Sequence, residues 1–289
     1  MRTLLCLPLA IAAVIAAPAA THAATVVTQT GPNTVRADYA LPAPDGRTLS
    51  GSFFLEFDAT TGLSPAALNI QARVVDPADP ALLARLPAGL PLSIPAAFPV
   101  MVSVSPLPGS GFAFRNAARV EMYTKALPYS TDSAYRVYKA PAGGAFADLT
   151  SELLPGSIRI RVRTGSFSDF LVVEDARSPA EAAASLYARL GAAVLDPAVP
   201  AATGALLRGD LDDSFEEFEE GDYADAREEL AAFELTVEVE AGASLPNTWR
   251  AQRDLDNRAG ELAALASALD FHLARLADGD DDEDEGDDD

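Results

Sequence analysis

The chain has 289 residues and a formal net charge of −22 at pH 7, from 43 acidic and 21 basic residues. Because phosphate binding needs clustered lysine and arginine, this balance argues against a nucleic-acid partner and against an anionic membrane surface. The chain also holds one cysteine, Cys6, and two histidines, His22 and His272, which leaves little material for thiol or zinc chemistry.

The N-terminus has the pattern of a secretory signal peptide over residues 1–23. Arg2 gives a positive start, residues 4–17 are apolar apart from Pro8, and small residues follow. This run of about 14 residues is shorter than the ~20 that a membrane-spanning helix needs, so we favour cleavage over a retained anchor. We expect export to the periplasm or the extracellular space, and a mature protein that is not integral to the membrane.

Cleavage would leave a mature chain without cysteine and with His272 as its one histidine. We therefore expect no thiol nucleophile, disulfide or Cys/His zinc site. A single histidine in a helical pattern also argues against a Ser-His-Asp triad.

Residues 24–177 have the pattern of an antiparallel β-sandwich. Apolar residues recur at every second position between Gly, Pro and Asn turn signals, and no crossover helices alternate with the strands. A helical turn is expected after Asp79-Pro80. The predicted strands are residues 25–30, 34–39, 49–57, 70–74, 99–105, 119–124, 135–140, 157–163 and 167–173.

Residues 158–163 alternate between apolar residues and Arg159, Arg161 and Arg163. The arginines could bind an anionic ligand, form a solvated sheet face, or dock against the acidic helices of the same chain. The alternation favours the solvated face, because antiparallel sheets commonly bury one side only.

Four tyrosines also cluster in this part. They could form a carbohydrate-stacking platform, but tyrosines in strands are more often half-buried packing residues. They are Tyr123, Tyr129, Tyr135 and Tyr138.

Several segments of this part together resemble a family of secreted bacterial proteins of unknown function. The resemblance covers most of residues 24–177 and implies no activity. The segments are Pro-Ala-Ala-Phe-Pro at 95–99, residues 119–129, Tyr-Arg-Val-Tyr at 135–138, Phe-Ala-Asp-Leu-Thr at 146–150, and Phe-Ser-Asp-Phe at 167–170.

Residues 178–277 change to helical periodicity and carry 20 acidic against 7 basic residues. Ser178-Pro179-Ala180-Glu181 predicts a capping box at the start of the first helix. Pro197, Gly221 and Gly242 separate four predicted helices, which we expect to form a small up-down bundle. The last helix is expected from near Pro246 to about residue 276, with a stripe that starts at Leu255.

Residues 207–276 resemble the FIMAH-type helical domain of secreted bacterial proteins. The matching features are the leucine spacing, Gly-Asp-Tyr-Ala-Asp-Ala at 221–226, Leu-Ala-Ala-Phe at 230–233, Gly242 and the long closing helix. The resemblance implies a helical domain without catalytic residues.

Three features suggest metal chemistry only weakly. Residues 210–213 and 254–257 start like calcium loops but lack the required glycine and glutamate, so we interpret them as surface acids. His272 has no second histidine or cysteine beside it, so we expect a packed or exposed helix residue. Residues 278–289 hold ten acids and no apolar residue, which predicts a disordered acidic tail that confers solubility or binds Ca²⁺ weakly.

We therefore expect an α+β protein with two domains, residues 24–177 and 178–277, and no cofactor or catalytic residue. The expected function is that of an exported non-catalytic binding or structural protein, with a cell-envelope glycan or protein as partner. The alternative is a carboxylate-dependent hydrolase acting on glycans, which needs two carboxylates flanking a cleft. Its candidate carboxylates are Asp132, Asp148, Glu152 and Asp169.

Overall fold

The computed structural model describes residues 24–284, and the side chains of residues 25–279. The predicted signal peptide, residues 1–23, lies outside the described residues. The strands are β1 (Ala24–Gly31), β2 (Thr34–Pro42), β3 (Thr48–Glu56), β4 (Ala59–Thr61), β5 (Ile70–Val74), β6 (Leu92–Ser93), β7 (Val100–Val104), β8 (Ala113–Arg115), β9 (Ala118–Thr124), β10 (Tyr135–Ala140), β11 (Ala147–Asp148), β12 (Thr150–Leu154), β13 (Ile158–Thr164), β14 (Asp169–Asp175) and β15 (Thr248–Arg250). The helices are α1 (Pro65–Leu68), α2 (Pro80–Leu83), α3 (Pro179–Val194), α4 (Ala201–Glu220), α5 (Tyr223–Glu240) and α6 (Arg258–Asp284).

The strands of the N-terminal part form two facing sheets, so the α+β class is confirmed. The first sheet has the order β1-β2-β3-β9-β13-β12, and the second has β11-β10-β14-β7-β5 with β6 beside β14. Their inner faces meet at Phe53 and Phe170, whose ring centroids lie 5.2 Å apart. The outer face of the second sheet is covered by α2 and the segment after it, through residues such as Leu82 and Leu86.

The helices continue the same hydrophobic core. Leu190 of α3, Leu230 of α5 and Leu269 of α6 belong to one cluster of buried residues with Val120 and Ile160 of the first sheet. α6 lies between α3 and α5, and it also packs against β12 and β13. The helical part is therefore seated on one edge of the sandwich through α6. No helix in the described part of the chain is long and apolar enough to cross a membrane.

The first three predicted bundle helices are confirmed. α3 begins with the predicted capping box, because Glu181 N donates to Ser178 Oγ at 3.2 Å and Ser178 N donates to Glu181 Oε2 at 2.9 Å. α4 ends at Gly221, where a φ of 90° favours glycine.

The predicted start of the last helix is wrong. Residues 248–250 instead form β15, which pairs with β8 in a small third sheet, and Leu255 is 40% exposed. The reason is Trp249, whose ring lies 5.5 Å from that of Phe167 and 5.6 Å from that of Phe114. Burying this ring outweighs the local helical pattern, and the helix begins only after Asn257.

The acidic tail also differs from the prediction. α6 continues through Asp284, whereas disorder was expected from Asp278, and residues 285–289 lie outside the described residues. Adding residues to an existing helix requires no new nucleation, so the helix extends beyond its last buried turn.

Candidate ligand-binding cleft

A cleft of about 360 Å³ lies where the sandwich meets α3 and α6. Its charged residues are Lys139 of β10, Arg189 of α3 and Glu261 of α6. Its wall is mostly apolar, with alanine as the commonest residue, and it includes Ala147, Leu149, Ala193, Ala264 and Leu265. We call it the Lys139 cleft. Its volume lies in the range of small-molecule sites, ~300–1,000 Å³.

Helix spacing explains which residues line the cleft. Arg189 is followed three and four positions later by Ala192 and Ala193, and Glu261 in the same way by Ala264 and Leu265. Residues at this spacing share one helix face. Each helix therefore presents one charged residue and two apolar residues, and the alanines leave the space that a larger side chain would fill.

The start of α6 is fixed to the sandwich by Asn257 and Gly165. Asn257 Nδ2 donates to Asn116 O at 2.7 Å and to Gly165 O at 3.1 Å, while its Oδ1 caps the helix by accepting from Gly260 N at 2.9 Å. A Cβ on Gly165 would lie 2.5 Å from Glu261 N, so only glycine permits this approach. Glu261 is thereby held at the edge of the cleft.

Lys139 is half-buried and forms its hydrogen bond to a neutral group. Its Nζ donates to Ser166 Oγ at 2.6 Å, and no carboxylate of the described side chains forms an ion pair with it. Burial lowers the pKa of Lys139 to about 8, and the positive charge of Arg189 acts in the same direction against the negative charge of Glu261. The cleft therefore contains a cation that no described carboxylate contacts directly.

Glu261 is engaged elsewhere. Its Oε2 accepts from Arg258 Nη1 at 3.0 Å, and its Oε1 accepts from Ser166 Oγ at 3.4 Å. Arg189 is exposed at the mouth of the cleft and has no ion-pair partner within residues 25–279. Both cations of the cleft can thus take up an anion from outside without breaking an ion pair.

The Ser166–Lys139 contact resembles a nucleophile beside its base, but the surrounding donors do not suit acyl transfer. Such chemistry needs backbone N–H groups free to stabilise an oxyanion. Ser166 N donates to Thr164 Oγ1 at 3.3 Å. Gly260 N and Glu261 N, in the first turn of α6, donate to Asn257. The arrangement is therefore better suited to holding an anion than to attacking a carbonyl group.

The four carboxylates proposed for a hydrolase lie in different environments and do not face one another across a cleft. Asp148 is buried against His272, and Asp169 accepts from Arg85 Nη2 at 2.8 Å and from Ser103 Oγ at 2.7 Å. Glu152 accepts from Arg161 at 2.7 Å, and Asp132 is exposed in a turn. Because Asp148 and Asp169 are enclosed, these residues do not give two carboxylates flanking one cleft.

The arginines of β13, residues 159, 161 and 163, lie on the outer face of the first sheet. Ile158, Ile160 and Val162 are buried as predicted, and Arg161 is bonded to Glu121 at 3.0 Å and to Glu152 at 2.7 Å. These contacts confirm the solvated-face interpretation. The third interpretation is confirmed for one residue, because Arg163 Nη1 donates to Ser267 Oγ of α6 at 3.2 Å. A larger cavity over this face, about 480 Å³, is lined by such paired charges.

The tyrosines do not form a stacking platform. Tyr138 is fully buried and donates to Asp175 Oδ2 at 2.7 Å in the second sheet. Tyr123 lies in the first sheet beneath the guanidinium of Arg159, 5.3 Å from its ring centroid. Tyr129 and Tyr135 pack partly buried against the core. The packing interpretation is confirmed.

The residues of the candidate metal motifs lie in a helix, in ion pairs or in the buried core. Residues 210–213 lie inside α4 and cannot form a loop, while Asp254 pairs with Arg250 at 2.8 Å and Asp256 with Arg258 at 3.4 Å. His272 is buried, and its Nε2 lies 2.9 Å from Asp148 Oδ2. The predicted packed role of His272 is confirmed, although its carboxylate partner was not foreseen.

Sequence reasoning missed Lys139, Ser166 and Arg189. One signal was present, because the chain contains two lysines and Lys139 is the one inside a predicted strand. A lysine flanked by apolar strand residues is expected to lie near the interior more often than one in a polar turn.

The fold and the cleft define an α+β protein whose sandwich is closed at one edge by helices. The chain belongs to DUF6689, a family of unknown function, whose sequence model matches residues 9–277. The match confirms the resemblance to a family without known activity, and it includes both the β-rich and the helical part. The searches of curated proteins and of solved structures gave no match. The FIMAH-type resemblance of residues 207–276 is not supported by these comparisons and stays a prediction.

Proposed function

We propose that this protein is an exported, non-catalytic binding protein of the cell envelope or extracellular space, and that its ligand occupies the Lys139 cleft. The observation that carries the proposal is Lys139 itself. In a chain of net charge −22, this half-buried cation faces an apolar cleft with a serine as its bonded partner. A desolvated charge without a carboxylate in direct contact is costly, so an anionic ligand that enters the cleft would be favoured.

Both parts of the chain contribute to this site. Residues 24–177 supply Lys139 and the apolar floor, and residues 178–277 supply Arg189, Glu261 and the helical wall. If the two parts are separate domains, binding still requires both. We propose that the ligand presents an anionic group to Lys139, whether it is the glycan or protein expected from the sequence or a smaller component of the cell envelope. The signal pattern of residues 1–23 supports export, and the acid-rich end of the chain supports a role in solubility.

The test is capture from a cell-envelope extract with the mature chain and two matched variants. Lys139→Gln removes the charge in the cleft, and Lys125→Gln removes the other lysine of the chain, which is exposed. We expect the wild-type chain and Lys125→Gln to retain the same component and Lys139→Gln to lose it. Equal capture by all three proteins would place recognition outside the Lys139 cleft.

A further inference from the structure

We infer that the ligand of the Lys139 cleft is a small amphiphilic monoanion, a carboxylate on a short alkyl chain. This inference rests on the proposed function, because it assigns a chemical class to the ligand of the same site. The volume of about 360 Å³ equals about a dozen water-sized groups at ~30 Å³ each. An eight-carbon carboxylic acid, with ten non-hydrogen atoms, is of that size.

The charges of the cleft favour one negative charge rather than two. Lys139 and Arg189 both attract an anion, and Lys139 Nζ can still donate to a carboxylate because its hydrogen bond to Ser166 Oγ uses one of its three N–H groups. Glu261, held at the edge by Arg258 and Ser166, would repel a second negative charge. A carboxylate therefore fits better than a dianionic phosphate.

The wall of the cleft favours an alkyl chain over a sugar. Beyond the charged residues the lining is alanine, leucine, proline, Gly165 and Thr164, and the Thr164 hydroxyl already donates to Ser166 O at 2.6 Å. Burying unpaired hydroxyl groups is unfavourable, whereas each buried methylene adds about fourfold in affinity. The wall includes Ala147 and Leu149 from the sandwich and Ala193, Ala264 and Leu265 from the helices.

The first experiment is a calorimetric titration of the mature chain with butyrate, hexanoate and octanoate at pH 7. We expect affinity to rise by about fourfold for each methylene until the cleft is filled. Lys139→Gln should weaken octanoate binding by about tenfold or more, and Lys125→Gln should leave it unchanged. Ala193→Leu, which fills the cleft with a good helix former, should weaken octanoate more than butyrate, while Ala188→Leu on the exposed face of α3 serves as its control.

A second measurement observes Lys139 directly. Reductive ¹³C-methylation labels two lysine side chains in this protein, and carbon NMR can follow each through a pH titration. Titration of Lys139 should occur near pH 8 without ligand and at higher pH with octanoate. The charged groups that face Lys139 are Glu261 of α6, whose negative charge raises the pKa of Lys139, and Arg189 of α3, whose positive charge lowers it. Octanoate should therefore bind more weakly above pH 8.

Four results would overturn the inference. They are equal binding of octanol and octanoate, tighter binding of octyl phosphate, an affinity independent of chain length, and preferential binding of a peptide with an apolar C-terminal residue. If octanoate does not bind but capture from the extract still depends on Lys139, the ligand class is wrong and the proposed function stands. If neither depends on Lys139, both are wrong.

Discussion

His272 and Asp148 form a buried pair that ties α6 to the second sheet. Their Nε2 and Oδ2 atoms lie 2.9 Å apart, and the two side chains are 2% and 4% exposed. Burial alone would raise the pKa of Asp148, but the hydrogen bond and charge of His272, the Thr150 N–H at 2.8 Å and the charge of Arg136 together hold it below its usual value. The carboxylate is therefore stable in this position only while its partners remain.

Removing the histidine should destabilise the protein strongly. We expect His272→Leu to lower the free energy of unfolding by about 3 kcal/mol or more, because it leaves a buried carboxylate without its main partner. The double variant His272→Leu, Asp148→Asn should recover part of that loss, since no buried charge remains. Urea unfolding, monitored by circular dichroism, measures the free energy of unfolding of both variants. If the effects of the two substitutions on the free energy of unfolding were strictly additive, the two residues would not be a coupled pair.

The same pair predicts a pH dependence with a defined sign. Because the pKa of Asp148 is lower in the folded protein than its ordinary value of 3.8, its contribution to stability is complete above that value. The contribution is lost as the pH falls through the lowered pKa. Between pH 6 and pH 2.5, we expect the urea midpoint of the wild-type chain to fall more steeply than that of Asp148→Asn. Parallel curves would show that Asp148 is not responsible.

The continuous core predicts cooperative unfolding of the two parts. Trp249, the one tryptophan of the chain, is 4% exposed and packs on Phe112, Phe114 and Phe167, so its fluorescence reports on the junction with the sandwich. We expect its emission and the helical circular dichroism signal to change at the same urea concentration. A helical transition at lower urea, with the tryptophan still buried, would show that the helices unfold as a separate domain.

The capping box of α3 gives a local prediction. Ser178→Ala should lower the free energy of unfolding by about 1 kcal/mol, because the N–H of Glu181 loses its acceptor. Ser178→Asp keeps a capping oxygen and should remain close to the wild type. A thermal denaturation series on the three proteins checks this prediction, and equal stability of Ser178→Ala would mean that packing alone fixes the start of α3.

The non-catalytic proposal predicts that Ser166 is not a reactive nucleophile. A fluorophosphonate reagent should leave Ser166 unmodified, because the nearby backbone N–H groups already donate to Thr164 and Asn257 and cannot stabilise the developing charge. Peptide mass spectrometry detects the adduct, and Ser166→Ala is the matched control. Modification of Ser166 that is absent from a Lys139→Gln variant would instead support an acyl-transfer enzyme.

Local patterns predicted individual strands and helices and the α+β class, but not the contacts between segments that are distant in the sequence. The capping box at Ser178 and the buried side of β13 follow from residues a few positions apart, so the sequence was sufficient for both. Trp249 pairs across the chain with β8, more than a hundred residues away, and no local pattern carries that information. The Lys139 cleft is harder still to predict from the sequence, because Lys139, Arg189 and Glu261 come from three elements that meet only through packing.

The scarcity of lysine has a practical consequence for anyone who works with this protein. With two lysines in the chain, one exposed and one inside the cleft, amine-reactive chemistry has few targets to share the reagent. At alkaline pH, where Lys139 loses its proton, coupling to a sensor surface or to an amine-specific crosslinker would consume the group that the ligand needs. Immobilisation through a terminal tag preserves the site, and deliberate acylation provides a rapid way to block it.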